Sequence, residues 1–160
     1  MSILHTADLY DTHGESLRIL QSGLLSYGGK ECFHGPIETI QTYEDNSHVA
    51  KLLATPGMGR VLVVDGGGSL GCALLGDRLA GLAVKNGWAG VVVHGAIRDA
   101  AQILKMDLGV KALGTMPRKS VKLDRGEVSK EVEFFGVRMV PGDWLYADAD
   151  GVLLSSRKLN

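Results

Sequence analysis

Two short apolar runs separated by a helical pattern are the most constraining feature of this sequence. The runs are Arg60-Val-Leu-Val-Val-Asp65 and Gly90-Val-Val-Val-His94, and neither alternates with polar residues. Continuous runs of this length indicate strands that are covered on both faces. Between them, residues 70–86 repeat leucine and alanine at helical spacing, and Gly87 follows where a helix-ending glycine belongs. Strand, helix and strand over about 35 residues predict a right-handed βαβ unit with parallel strands.

The segments before and after this unit predict further helices and strands. Helical patterns cover residues 6–13, 46–54 and 99–106, and extended patterns cover residues 32–40 and 110–113. Thr6 is a candidate N-cap for the first helix. Pro36 interrupts the first extended pattern, which predicts a strand at a sheet edge or with a bulge because proline lacks the amide donor that a central strand needs.

The pattern changes to alternation from residue 120 onward. Apolar residues recur at every second position, and the pairs are Val121/Leu123, Val132/Phe134 and Val137/Met139. Asp150-Gly151 then separates two further apolar runs and is a strong hairpin signal. We therefore expect antiparallel strands after the parallel centre, all within one domain of residues 1–160.

Composition narrows the class of protein. The chain has 160 residues, 17 Lys+Arg against 18 Asp+Glu and a formal net charge of −1. A dedicated nucleic-acid binder carries a clustered basic excess, so direct nucleic-acid binding is not expected. The two cysteines, Cys32 and Cys72, form no disulfide framework or zinc motif. Neither a signal peptide nor an apolar run long enough to span a membrane is found, so a cytoplasmic location is expected.

An Arg-Asp pair after the second apolar run is the strongest candidate for a functional site. Arg98 and Asp99 follow a Gly95 turn at the carboxyl end of a predicted parallel strand, where open α/β sheets bind ligands. Arginine clamps anions, and aspartate is a hard oxygen ligand. If the preceding helix begins near Asp77, after Gly76, its first amides point into the same crevice and suit a carboxylate. An ion pair that only caps a helix is the alternative.

Three other motifs are open to a structural or a functional interpretation. The run Asp65-Gly-Gly-Gly-Ser-Leu-Gly71 lacks the dinucleotide and P-loop registers, which favours a tight turn or the wall of a small-ligand site over nucleotide binding. Asp148-Ala-Asp150-Gly151 begins like a calcium loop but lacks the later ligands, which favours a hairpin. His94 lies near the Arg-Asp pair and is either structural or part of the site.

Three segments together resemble the RraA-like family. They are residues 60–69, 83–99 and 141–152, and the resemblance extends from Thr6 to the C-terminal hairpin. The family contains regulators of ribonuclease E activity and metal-dependent 4-hydroxy-4-methyl-2-oxoglutarate aldolases. Its aldolases are marked by an acidic residue, twenty intervening residues and Arg-Asp. Asp77, residues 78–97 and Arg98-Asp99 complete that motif here.

The resemblance implies a fold, an assembly and a site. The fold is α/β: a single-domain layered αββα sandwich of the swivelling β/β/α type, with a parallel βαβ centre and antiparallel C-terminal strands. The assembly is a homotrimer, or two trimers paired as a hexamer, with sites between subunits. Asp99 would hold Mg²⁺ or Mn²⁺. Arg98 and Asp77 would be catalytic, and the residues that bind a 2-oxo acid would be Gly76, Asp77, Arg78, Leu79 and Arg98.

The activity implied is that of a carbon–carbon lyase. It would cleave 4-hydroxy-4-methyl-2-oxoglutarate to pyruvate and, secondarily, decarboxylate oxaloacetate, in both cases through a metal-stabilised pyruvate enolate. The aldolases often carry extra C-terminal segments that this chain lacks, and in compactness it is more similar to the regulators. The alternative function is therefore a non-catalytic protein that binds and inhibits ribonuclease E. The near-neutral charge then directs that interaction to the enzyme itself rather than to RNA.

Overall fold

A computed structural model describes residues 4–21 and 23–159, which form a mixed α/β fold. The helices are α1 (Thr6–His13), α2 (Ser47–Leu53), α3 (Asp77–Lys85) and α4 (Ala100–Ile103). The strands are β1 (Arg18–Leu20), β2 (Leu25–Ser26), β3 (Phe33–Gln41), β4 (Val61–Asp65), β5 (Ala73–Leu75), β6 (Gly90–Ile97), β7 (Gly109–Thr115), β8 (Glu127–Val128), β9 (Val132–Phe134), β10 (Val137–Met139), β11 (Trp144–Asp148) and β12 (Gly151–Ser155). In the described residues no helix has the length and apolarity needed to cross a membrane.

One mixed sheet organises the molecule. Its strand order is β1-β12-β11-β3-β4-β6-β7-β2, with β5 also pairing β6 and β8 also pairing β3. Strands β3, β4, β6 and β7 are parallel to one another, whereas β1, β12 and β11 are antiparallel to their neighbours. The parallel centre and the antiparallel strands after it, both predicted from the sequence, are confirmed.

Side-chain alternation along the strands separates four layers. In the parallel strands, residues such as Leu62 and Val64 pack toward α2, α3 and α4. Their neighbours Val61 and Val63 face the other way and share a core with the inner faces of β11 and β12. The outer faces of β11 and β12 pack against α1, for example through Leu9. The order helix, sheet, sheet, helix is the expected αββα sandwich.

Strand β3 corrects the prediction made from Pro36. The strand lies inside the sheet, not at its edge, because it changes partner along its length. Residues 33–36 pair with β11, whereas residues 37–41 pair with β4. Pro36 stands at the end of the first pairing, and the next amide, that of Ile37, donates to the Asp143 carbonyl at 2.8 Å. The proline is tolerated because the ladder changes partner there.

Three smaller predictions are also corrected. Thr6 does not cap α1; its amide and its hydroxyl both donate to the buried carboxylate of Asp148, at 2.8 and 2.7 Å. Helix α4 is shorter than the predicted 99–106, and Asp99 precedes it in a left-handed conformation with φ 60°. Val121 and Leu123 lie in an irregular loop and are exposed, so their alternation is not that of a strand.

Candidate active site

A cleft opens where three neighbouring strands end. Helix α3 begins directly after β5, the Arg-Asp pair follows β6, and an irregular basic segment of residues 116–126 follows β7. The cleft has a volume of about 680 Å³. Its lining residues are Asn46, Ala73, Gly76, Asp77, Arg78, Leu79, Arg98, Asp99, Arg118, Lys119, Ser120, Val121 and Lys122. The topology thus places the cleft at the carboxyl edge of the parallel strands, as the βαβ pattern predicted.

All six residues singled out from the sequence line this cleft, and Gly76 lies at their meeting point. A Cβ atom at Gly76 would lie 2.9 Å from the Asp99 carboxylate oxygen Oδ2 and 3.3 Å from the Arg98 Nε. The same Asp99 Oδ2 accepts a hydrogen bond of 2.9 Å from the Asp77 amide. Only glycine leaves room for the guanidinium and the carboxylate to converge on the first turn of α3.

The first turn of α3 also presents amides to the cleft. The Asp77 amide donates a hydrogen bond to the Asp99 carboxylate. The next backbone amide in the helix that donates a hydrogen bond is that of Ala80, whose acceptor is the Gly76 carbonyl at 2.9 Å. In the described part of the chain, no protein acceptor bonds the amides of Arg78 and Leu79. Unpaired amides at a helix N-terminus bind carboxylates and phosphates.

The basic side of the cleft was not predicted from the sequence. Arg118, Lys119 and Lys122 stand in the segment after β7, and the buried residues Asn46 and Ser120 complete the wall. The available signal was the run Arg118-Lys-Ser-Val-Lys122, which follows the strand predicted over residues 110–113. In this region the apolar alternation of Val121 and Leu123 predicted a strand and gave no indication of a basic wall.

Positive charge predominates in the cleft. Five cationic side chains line it, together with the two carboxylates of Asp77 and Asp99. Among residues 4–21 and 23–159, none of those five cations lies within 4.0 Å of a carboxylate oxygen. Burial lowers the pKa of the Lys122 amine, and the positive charge of Arg78 lowers that pKa further. An excess of cations that make no close ion pair favours the binding of an anion.

Asp99 is the residue best placed to hold a metal ion. Its Oδ2 is bonded to the Asp77 amide, and no described residue donates a hydrogen bond to its Oδ1. In the described residues, no group of three or more His, Cys, Asp and Glu side chains is arranged so that it could hold a metal ion. Mg²⁺ retains several waters and binds through one or two carboxylates plus the substrate, so the donor set here fits Mg²⁺ or a similar hard cation.

His94 and the glycine run lie outside the cleft. The His94 Nδ1 lies 3.4 Å from the Asp65 Oδ1, and the imidazole ring stacks on Phe134 at 4.5 Å between centroids. Gly67 and Gly68 have φ values of 68° and 76°, and the Gly67 amide donates back to Asp65 at 3.0 Å. The run therefore makes a tight turn after β4, and His94 has a packed structural environment.

Fold and site together define a class: an αββα protein with a cation-rich cleft, which also contains the Asp99 carboxylate, at the carboxyl ends of parallel strands. A family model described as RraA-like, Aldolase/RraA, matches residues 6–154. The chain belongs to the RraA-like family.

Individual relatives carry different names. A protein of Alkalilimnicola ehrlichii named "Putative 4-hydroxy-4-methyl-2-oxoglutarate aldolase" is 53% identical over 154 residues, 96% of each chain. The structure of the RNA-processing inhibitor RraA from Thermus thermophilis is 44% identical with a TM-score of 0.95, covering 100% of this chain and 96% of that one. The structure of a Geobacillus kaustophilus protein named S-adenosylmethionine: 2-dimethylmenaquinone methyltransferase is 49% identical with a TM-score of 0.96, covering 98% and 97%. The function must therefore be argued from the cleft.

Proposed function

We propose that this chain is a metal-dependent carbon–carbon lyase that cleaves 4-hydroxy-4-methyl-2-oxoglutarate to pyruvate and also decarboxylates oxaloacetate. The observation that carries the proposal is the convergence of Arg98, Asp99 and the start of α3 in a cleft lined by five cations without carboxylate partners. Both substrates are small acids with two carboxylates each, and they complement that charge. The relatives named as aldolases are consistent with this activity.

Binding is assigned to the two sides of the cleft. The open amides of Arg78 and Leu79, with the Arg98 guanidinium, hold the carboxylate of the 2-oxo acid end. Lys119 and Lys122, across the cleft, face the far end of the substrate and attract its second carboxylate. This arrangement suits an acid rather than S-adenosylmethionine, whose sulfonium centre is itself positively charged.

Asp99 would hold the metal through its carboxylate. A bound Mg²⁺ or Mn²⁺ supplies Lewis-acid polarisation of the keto group. The hydrogen bond from the Asp77 amide fixes the Asp99 carboxylate in place. The Asp77 side chain, exposed at the mouth of the cleft, accepts hydrogen bonds from water and orients the water that takes the substrate hydroxyl proton.

Both reactions leave the same fragment in the cleft. When the bond beta to the keto carbon breaks, its electron pair stays on the pyruvate half as an enolate, and the other half departs as a second pyruvate or as CO₂. Arg98 stabilises the negative charge that develops on the enolate oxygen. A proton returned from water to the terminal carbon then gives pyruvate.

Pyruvate release from both substrates tests the proposal directly. With Mg²⁺ the wild-type protein is expected to release pyruvate, and EDTA is expected to abolish the release. Arg98→Ala and Asp99→Ala should each lower kcat/KM about 100-fold or more, because each removes a charged contact at the reacting end. Arg157→Ala is the matched control, since Arg157 is exposed and does not line the cleft. Activity that survives EDTA or either cleft substitution would contradict the proposal.

A second candidate function is inhibition of ribonuclease E by direct protein contact. The 44% identity to the RNA-processing inhibitor RraA favours it. A pull-down with purified ribonuclease E at physiological salt is expected to retain this chain if the candidate is correct, and Asp99→Ala should bind equally well. The near-neutral net charge leads us to propose contact with the enzyme and not with its RNA.

We also propose that the chain assembles as a homotrimer. Several large apolar side chains are more than half exposed in the single chain, among them Tyr43, Leu123 and Val121. Burial of such side chains between subunits is favourable. Light scattering after size-exclusion chromatography should give a mass of three chains, or of six if trimers pair.

A further inference from the structure

Asp45 is a buried carboxylate that does not line the cleft but is bonded to the segment that does. Its exposed fraction is 1%. Its Oδ1 accepts hydrogen bonds from the Ser47 amide and hydroxyl, at 2.9 and 2.6 Å. Its Oδ2 accepts hydrogen bonds from the amides of Leu123 and Arg125, at 2.7 and 3.4 Å. One carboxylate thus joins the start of α2 to the segment 116–126.

That segment needs such an anchor because it has little structure of its own. It contains no helix and no strand, and its only ladder contacts are two isolated bridges, Asp45 with Val121 and Ala73 with Lys119. Most of its residues are exposed. An irregular, exposed segment keeps a fixed place only where specific contacts hold it. It nevertheless carries three of the five cations of the cleft.

Residues 45 and 46 bind both the side chain of Lys122 and the backbone next to it. The Lys122 Nζ donates to the Asn46 Oδ1 at 2.6 Å, and Asn46 directly follows Asp45 in sequence. The next residue after Lys122 is Leu123, whose amide is bonded to the Asp45 carboxylate. The Asn46 amide also donates to the Ser120 hydroxyl at 2.8 Å. The backbone beside Lys122 and the tip of its side chain are therefore both positioned from residues 45–46.

We propose that Asp45 is a positioning residue that fixes Lys122 in the cleft and so sets the affinity for an acidic ligand. The inference rests on the proposed function, because it assigns Lys122 to the anionic substrate. In Asp45→Asn one carboxylate oxygen becomes an amide nitrogen, which cannot accept a hydrogen bond. The remaining oxygen can accept hydrogen bonds from Ser47 or from the Leu123 side, but not from both. The clamp then loses one of its two ends.

The test is a calorimetric measurement of oxalate binding in the presence of Mg²⁺. It compares the wild type with Asp45→Asn and Thr6→Val. Thr6→Val is the matched control, because it also deletes a buried hydrogen bond to a carboxylate, 2.7 Å to Asp148, and neither residue lines the cleft. Asp45→Asn is expected to weaken oxalate binding about tenfold, the scale of one lost charge-assisted hydrogen bond. Thr6→Val should lower the Tm and leave the affinity unchanged.

A double-mutant cycle shows whether Asp45 acts through Lys122. If it does, Asp45→Asn should have little further effect on oxalate affinity once Lys122→Ala is present. A full effect of Asp45→Asn in the Lys122→Ala background, or an equal loss in Thr6→Val, would overturn the inference. If the wild type does not bind oxalate, both proposals are wrong. Wild-type oxalate binding without pyruvate release would overturn only the proposed function, since the cycle still decides the role of Asp45.

Hydrogen exchange on the wild-type protein covers the case in which Asp45→Asn does not fold. The Leu123 amide is expected to exchange about 100-fold more slowly than in an unstructured peptide, because its hydrogen bond to the Asp45 carboxylate must break first. Exchange at the unprotected rate would mean that the clamp is not formed in solution, and the inference would be wrong.

Discussion

Gly76 shows how one residue decides whether the site can exist. Its position beneath the Asp99 carboxylate and the Arg98 guanidinium leaves no space for a side chain. The residue is a glycine for reasons of space and not of backbone strain, since its φ of −126° is accessible to any residue. The sequence motif of an acidic residue and Arg-Asp therefore depends on a third element, the glycine that precedes Asp77.

Gly76→Ala should reduce pyruvate release much more than it reduces stability. The added methyl group would stand 2.9 Å from the Asp99 Oδ2 and 3.3 Å from the Arg98 Nε, and both side chains can swing away into the cleft. We expect kcat/KM to fall about 100-fold, because small displacements of positioned groups are costly for catalysis. The Tm should fall by only a few degrees. Gly81→Ala is the control, since its Cβ meets nothing within 4 Å; equal losses in the two variants would contradict this expectation.

At the scale of elements, local patterns were sufficient for the β11–β12 hairpin and for the order strand, helix, strand of the βαβ unit. Both rest on contacts between neighbours in sequence, so periodicity and turn residues carry the information. The local patterns did not predict β5, which forms at residues 73–75 inside the helical pattern predicted for residues 70–86. The pairing of β3 with β11 joins residues more than 100 positions apart, and no local sequence pattern near Pro36 predicts that pairing. The basic wall of the cleft was missed because the segment 116–126 is irregular, so the alternation of Val121 and Leu123 within it does not reflect a strand.

The junction between α2 and the segment 116–126 should make stability depend on pH in acid. Burial alone would raise the pKa of Asp45, but hydrogen bonds from Ser47, Leu123 and Arg125 outweigh it and lower the pKa from 3.8 to about 2. The unfolded chain therefore binds a proton before the folded one does, so this contribution is present above pH 4 and is lost as the pH falls from about 4 to 2. It amounts to about 2 kcal/mol.

Urea unfolding of the wild type and Asp45→Asn between pH 2 and 6 measures that contribution. The difference in the free energy of unfolding between the two proteins should shrink as the pH falls through this window. A difference that is independent of pH would show that the Asp45 carboxylate is not preferentially ionised in the folded state.

At the scale of the whole molecule, positive and negative charges nearly cancel, but they are unevenly distributed and the cleft has a positive excess. The net charge is −1, yet the cleft carries five cations and two carboxylates. The composition predicts no direct nucleic-acid binding. It could not indicate the local excess, because the five cations come from three separate strand ends and meet only after folding.

Ligand affinity should therefore depend on salt although the protein is nearly neutral. Raising KCl from about 0.02 to 0.3 M should weaken oxalate binding several-fold, because shorter Debye lengths screen cations that do not touch the ligand directly. The dependence should be shallower in Lys122→Ala, which has one cation fewer, and unchanged in Arg157→Ala. Calorimetric titrations at several salt concentrations provide the measurement, and an equal slope in Lys122→Ala would argue against a focused field in the cleft.

The pairing of β1 with β12 has a consequence for synthesis on the ribosome. Residues 18–20 pair with residues 152–154, and residues 33–36 pair with residues 144–147. The parallel strands from β3 to β7 need only residues up to 115, so that half of the sheet can form while the rest is still being translated. Strand β1 has no partner until the last hairpin leaves the exit tunnel, and the inner apolar face of the parallel half is fully covered only when β9 to β12 have all emerged. The interval in which nascent chains are most exposed to aggregation is thus set by the translation time of residues 116–155.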